Sequence, residues 1–503
     1  MSAAIDFLRT QLPQLLLRLS ALALLAAVSI VTVNYIRVLS LRRHLPPGPF
    51  PLPIIGNHYR IPRIKPWVKF EEWSRQYDNP MITIWLGSRP VIVFNDAWVA
   101  SEMLEKRADV YSSRPRFVAM GDLVNATETN QTTLHSVVGS HAVRNCRSFQ
   151  SDEAKMLTLD DPADYVMSIK RYSVSQVSII GWGRRIARKN DYVAQKALEG
   201  MEAVNLVIPG FLLVESLPIL ANLPAWLYRL PVLLRAHSSA LWTYFYALSK
   251  EAAAASPNPS FSRTLLAALT TNLVGGGVDT TSSTILSAIL ALCAFPSVQR
   301  AAHAELDRVA LVKEVLRWRT VTALGGIPHA PVRADELRGH RVPAGTQVTA
   351  NVWAIHRHPR EFPEPDAVRP ERYLGGLRFA YPNARGHNAF GWGRRQCSGQ
   401  PLAEQSLSMV VARLLWAFRI EPGLDEEGNE VKLDIFAYSA SENMRPLPFK
   451  ARFTPRSEQI AELLRSEAAE ARERLRKYDG ETELTMESVL AGQRAPEKPL
   501  EAL

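Results

Sequence analysis

Leu19 to Ile36 runs eighteen residues without a charge. As a helix it would be about 27 Å long at 1.5 Å per residue, close to the roughly 30 Å of a bilayer core. Arg37, Arg42 and Arg43 follow at once, whereas Asp6, Arg9 and Arg18 nearly cancel before it. That asymmetry assigns the bulk of the chain to the cytosolic side of a membrane. The run is long for a cleaved signal and starts late, so it reads as a retained anchor. Behind it, Leu45 to Gly56 holds five prolines within eight residues, a stiff spacer that cannot complete the hydrogen bonds of a helix or inner strand. Alternation in Met81 to Gly87 and in Pro90 to Phe94 predicts a short hairpin. Arg338 to Asn351 reads as a second hairpin, turning at Pro343-Ala-Gly345. Elsewhere helical periodicity dominates. From Pro455 the pattern becomes a charged helix with opposite charges at helical spacing, expected to be solvated and to end in a disordered tail. With no internal repeat, the chain divides into 1–44 with an anchor at about 19–36, a large α-rich domain over 45–454, and a charged helical extension over 455–503.

Composition narrows the function classes. Three cysteines, Cys146, Cys293 and Cys397, have no regular spacing, which excludes a disulfide scaffold and a C-x-x-C zinc site and suits a reducing compartment. Two glycosylation sequons, at Asn125 and Asn130, are expected to be silent in a cytosolic domain. The net charge of +10 favours anionic lipid headgroups and an acidic redox partner. The basic residues are scattered and carry no recognition motif, so no nucleic acid is expected.

Three motifs carry candidate chemistry. Cys397 lies in Phe390-Gly-Trp-Gly393-Arg-Arg395-Gln-Cys397-Ser-Gly399, a Gly/Arg-rich loop before an apolar helical stretch. A helix beginning behind the cysteine would turn its first N–H groups toward a thiolate. Gly275-Gly276-Gly277-Val-Asp279-Thr280 lies between the apolar stretches Thr264–Val274 and Ile285–Phe295. Each of those glycines costs about 1 kcal/mol in a helix against alanine, so a close ligand or an opened hydrogen-bond ladder has to require them. A carboxylate beside a hydroxyl suits general acid work. Glu314 and Arg317 stand one helical turn apart, a weak signal that recurs in pairs such as Glu72/Arg75 and Glu462/Arg465.

The cysteine stretch matches F-x-x-G-x-R-x-C-x-G at every fixed position and resembles the haem-thiolate loop of cytochromes P450. The glycine-rich segment resembles that family's distal-helix motif [A/G]-G-x-[D/E]-T. Glu314 and Arg317, with Arg369-Pro-Glu-Arg372 before the loop, resemble its structural triad, and the proline-rich segment resembles its post-anchor hinge. The likeness spans about Leu45 to Thr454 and is nearest to membrane-bound enzymes of fungal secondary metabolism. It implies a mainly α fold with small β-sheets, preceded by one transmembrane helix. It further implies haem b with Cys397 as axial ligand, Phe390, Gly393 and Gly399 shaping the loop beneath it, and Arg395 and His329 on the propionates. Asp279 and Thr280 would deliver protons during oxygen activation, and Glu314, Arg317 and Arg372 would lock the core behind the haem. Electrons would come from NADPH through a separate NADPH–cytochrome P450 reductase, with cytochrome b5 as a further donor. The substrate would be an apolar small molecule, and the location the endoplasmic reticulum membrane with the catalytic domain cytosolic. Walls are expected around Phe117, in Val204–Leu220, Val274–Gly276 and Thr322–Gly325, and near Tyr438.

The chain departs from the family at three places. Phe117 to Asn145 has no tryptophan and only Arg144 where members carry a Trp-x-x-x-Arg helix. The connections at Ala304–Ala310 and Glu251–Ala268 are short. Two further readings therefore stand beside the monooxygenase: a P450-like membrane protein deficient in haem, and a haem-thiolate isomerase or dehydratase, against which the Asp279-Thr280 pair argues.

Overall fold

The computed structural model describes residues 12–123, 138–157, 162–207, 211–255, 273–304 and 308–492. Both sequons, part of the stretch around 125–134, most of 251–268, residues 305–307 and the tail from 493 lie outside them. The fold is mainly α with small sheets, as expected. The helices used below are α1 (Leu12–Arg42), α2 (Pro66–Gln76), α3 (Arg147–Leu157), α4 (Tyr165–Trp182), α5 (Tyr192–Val207), α6 (Leu230–Ala255), α7 (Asp279–Ala294), α8 (Pro296–Ala304), α9 (Arg308–Trp318), α10 (Gln400–Ala417), α11 (Glu458–Leu475) and α12 (Met486–Gly492).

Helix α1 extends beyond the predicted anchor at both ends. From Leu15 to Ile36 most of its leucines and valines stand exposed, the pattern of a helix with no protein surface to pack on, whereas Val38 and Leu41 near its end join a core cluster with Trp85 and Phe94. Within Gln14–Arg42 an 18-residue window reaches a mean hydropathy of 2.2. The proline-rich spacer is docked on the sheet, with Thr83 N–H donating to the Pro47 carbonyl at 2.9 Å. A Cβ on Gly48 would stand 1.9 Å from the Thr83 carbonyl oxygen, so this approach admits only glycine.

Strands β1 (Met81–Leu86) and β2 (Arg89–Phe94) form the predicted antiparallel hairpin. The second hairpin differs from expectation. Strands β3 (Asp335–Leu337) and β4 (His340–Val342) pair around Arg338-Gly339, both with positive φ, whereas β5 (Gln347–Ala350) joins β2 in parallel. A two-residue turn with positive φ at both positions suits the twist of a hairpin, and Arg338-Gly339 supplies it upstream of Pro343. Strands β6 (Phe418–Pro422) and β7 (Ala451–Pro455) close a third small sheet.

The main core packs α7, α9 and α10 against α2, β1 and β2 through Ile285, Leu311, Leu407, Phe70 and Ile82. A second core joins α3 to α6. Here the extension corrects the expectation of a solvated helix. α11 buries Leu464, Ala468, Ala471 and Leu475, and Arg474 pairs with Asp152 of α3 at 2.9 Å. After it, Met486 N–H donates to the Tyr192 hydroxyl at 3.0 Å, and Val489 of α12 is buried. The charge pattern marked the outer face; four apolar positions at i, i+4, i+7 and i+11 form the inner one.

Candidate active site

Cys397 lies on a loop tied at both ends. Its N–H donates to the Phe390 carbonyl at 2.9 Å, and α10 begins two residues beyond Ser398. Gly393 sits at φ 53°, where an added Cβ would meet the Leu104 carbonyl oxygen at 2.3 Å. Gly399 has an ordinary φ of −83°, and a Cβ there would stand 3.8 Å from the Cys397 sulfur. Gly393 is thus demanded by backbone conformation and approach, while at Gly399 a Cβ would make only an ordinary contact with the sulfur. Burial pushes the Cys397 thiol up; the N–H groups of Gly399 and Gln400 act in the opposite direction. The cysteine's exposed surface borders a cavity.

That cavity, about 360 Å³, is bordered by Cys397, Phe390 and Gly399 on one side and by Gly276, Gly277 and Thr280 on another. A larger, more open groove of about 500 Å³ between α3 and α10 touches none of the predicted site residues. The glycine run is helical to Gly277, is interrupted at Val278 and resumes as α7. Thr280 Oγ1 donates to the Gly276 carbonyl at 2.7 Å, a back-bond that bends helices. The glycines divide the work. A Cβ on Gly276 would meet nothing within 4 Å, while one on Gly277 would come to 2.6 Å from Val177 Cγ2 of α4. Thr280 borders the cavity but Asp279 does not. The Asp279 carboxylate is buried, accepts from Asn205 Nδ2 at 3.3 Å and faces Arg445 at 3.7 Å. Arg445 in turn stands 3.9 Å from the exposed Glu202.

A basic trio occupies another wall. Arg395 Nε donates to the Ser112 carbonyl at 2.6 Å. His329 holds the Tyr111 carbonyl through Nδ1 at 2.8 Å, and burial lowers it to about 4, with Arg114 adding repulsion. Arg114, which sequence reasoning did not select, donates to the carbonyls of Ile327 and Pro328; burial and Arg395 lower it to about 10. Among the described residues no carboxylate pairs with Arg114 or Arg395. The available signal was an arginine before Pro115, just upstream of the Phe117–Asn145 stretch whose one arginine is Arg144. Arg144 itself is exposed on the short helix Ala142–Cys146, away from the cavity.

Glu314, Arg317 and Arg372 do converge. Arg317 Nη2 lies 2.6 Å from Glu314 Oε1, and Nε lies 3.0 Å from Oε2. Glu314 Oε1 also accepts from Arg369 N–H and stands 3.7 Å from Arg372 Nε. The remaining Arg317 donors reach the carbonyls of His356, Pro365 and Ala367, so this buried charge is satisfied throughout. Phe117 packs in a separate cluster, and Tyr438 donates to Ser287 in the main core; neither borders the cavity as expected, whereas Gly276, Thr322 and Gly325 do.

A ligand completing this cavity needs anionic groups for uncompensated guanidiniums, an acceptor of thiolate electrons, and a face that passes along side-chain-free Gly276. Iron protoporphyrin fits that donor set. The sequence pattern described as Cytochrome P450 matches residues 46–150 and 242–444. Cytochrome P450 monooxygenase 105 of Postia placenta is 31% identical, across 86% of this chain and 95% of its own length. Cytochrome P450 monooxygenase 58 of the same fungus is 29% identical, across 84% and 90%. Tryptamine 4-monooxygenase of Psilocybe cyanescens is also 29% identical, across 83% and 94%. With the pattern matched across both halves of the cavity and full-length relatives of one kind, the chain belongs to the cytochrome P450 family of monooxygenase enzymes.

Proposed function

We propose that this enzyme inserts one oxygen atom from O2 into an apolar organic secondary metabolite, while anchored in the endoplasmic reticulum membrane by α1. One O2, two electrons and two protons convert a C–H bond to C–OH and release one water. The electrons derive from NADPH through a separate reductase, with cytochrome b5 as a second donor, docking on the Cys397 side near exposed Arg394. When bound, haem b supplies thiolate-backed activation of oxygen.

The chain's own residues do the rest. Cys397 would supply the thiolate that holds the haem, steadied by the N–H groups at the start of α10. Arg114, Arg395 and His329 hold the propionates; a carboxylate there would favour the charged imidazole that burial now disfavours. Thr280 presents its hydroxyl on the opposite wall, and Asp279 behind it is the candidate relay toward solvent, with Arg445 and Glu202 leading outward. Glu314, Arg317 and Arg372 lock the loop region and take no part in proton transfer.

The observation that carries this reading is that Cys397 and Thr280, 117 positions apart in sequence, border one cavity beside uncompensated cations. The test is turnover of an apolar metabolite library with reductase, NADPH and isotopically labelled O2. One labelled oxygen per product is expected. Thr280→Ala should keep NADPH consumption and lower product per NADPH by about a hundredfold, the lower end of the usual range for proton-transfer groups. Product without label would refute the reading.

A further inference from the structure

The geometry points to Glu215 as a positioning residue that sets what the cavity admits, with Arg89 as its brace. This rests on reading the cavity as the haem and substrate site. Glu215, on the short helix Leu213–Ser216, is 1% exposed although it carries a charge. Its two oxygens accept from Val118 N–H at 2.9 Å and Ala119 N–H at 2.8 Å. Arg89, at the start of β2, reaches the same carboxylate at 3.3 Å and bonds the Glu215 carbonyl, while its other terminal nitrogen donates to the Arg116 carbonyl at 3.2 Å. One ion pair, buried at Glu215 and half-exposed at Arg89, thus ties together three segments separated by 27 to 126 positions.

The segment so held packs behind one wall of the cavity. Phe117, Val118, Ala119 and Met120 form an apolar cluster with Val214 and Leu234, and Ile327 packs on that cluster while lining the cavity. Arg114, three positions before Phe117, lines the cavity too and donates to the Ile327 carbonyl at 2.6 Å. A shift of 116–123 would therefore move the Ile327 wall. Buried carboxylates are costly, and apolar residues would fill a cluster of this kind without one. A clasp that fixes the wall's position accounts for the expense.

The test uses the full chain in detergent and the variant Glu215→Gln, which keeps the volume but removes the charge. Losing charge-assisted bonds should raise hydrogen exchange at Val118 and Ala119 roughly tenfold or more, with α9 unchanged. Spectral titration with imidazole, 1-phenylimidazole and clotrimazole should show the bulky azole gaining about tenfold relative to imidazole. Faster exchange with an unchanged azole ratio would overturn the proposal, leaving the clasp a contact of the fold alone. Unchanged exchange would overturn it outright. Should Glu215→Gln fail to fold, Arg89→Met removes only the half-exposed brace, and the same two readouts apply. A chain without haem would give no azole signal in wild type or variant, a failure of the haem reading, while exchange still decides whether the clasp exists.

Discussion

At the scale of single residues, the glycine run shows how one motif serves two masters. Gly276 leaves room in the cavity, whereas Gly277 lets α7's leading turn approach α4. Gly277→Ala would force a Cβ to 2.6 Å from Val177, an overpacking that should cost about 1–3 kcal/mol. Val177→Ala in the same chain should recover most of it. Denaturant unfolding of the single and double variants checks this, and equal loss in both would show that the helix contact is not the reason for the glycine. The motif's presence was legible because three helical glycines are costly; the division was not, since Val177 lies a hundred positions away. Arg114 escaped for a similar reason. An arginine between Ser113 and Pro115 looks like any loop residue until Arg395 and His329 are seen beside it.

Elements were legible where the pattern was local. Hairpin β1–β2, the helix after the glycine run and the loop before α10 follow directly from periodicity and turn residues. The second hairpin failed because Pro343-Ala-Gly345 competed with Arg338-Gly339, and β5 found its partner in β2, some 250 positions upstream. The inner face of α11 is hard to read in sequence because charged residues are as many as apolar ones and half of the apolar ones are alanines. That face makes a sharp prediction. Leu464→Ala should destabilise the protein by about 2–4 kcal/mol, as for a buried leucine. Glu462→Ala, on the exposed face two positions earlier, should stay within about 0.5 kcal/mol. A solvated helix would leave both variants silent, so chemical denaturation of the pair decides between the two pictures.

At the scale of the whole molecule, burying so many charged and titratable groups has to show in acid. Burial lowers His387 to about 3 and His329 to about 4, from 6.5. As pH falls below 6.5 the unfolded chain takes up these protons before the folded chain does, so this stability is present above 6.5 and lost toward 4. Glu442 has the opposite sign. Its burial, against the N–H groups of Leu324 and Gly326, raises it to about 8, so the folded chain holds the extra proton between 4.5 and 8. Between pH 5 and 6, His387→Asn should therefore flatten the rise of stability with pH by about 1.4 kcal/mol per unit, and Glu442→Gln should steepen it by a similar amount. Denaturation of the haem-free chain at several pH values reads both slopes; parallel slopes would contradict these burials.

The family's overall frame, with its cysteine loop, distal glycines and buried ion-pair lock, was carried by short stretches whose chemistry constrains them locally. The cavity's cationic wall and the docked extension depend on partners from remote stretches, and only the assembled chain reveals them. The central proposal is that Cys397 and the Arg114–His329–Arg395 wall hold haem without a Trp-x-x-x-Arg helix. The most direct measurement is the reduced carbon-monoxide difference spectrum of membranes containing the full chain, beside Cys397→Ala. A strongly red-shifted Soret band, absent from the variant, is the predicted result. Protein present in the membrane without that band would contradict the account.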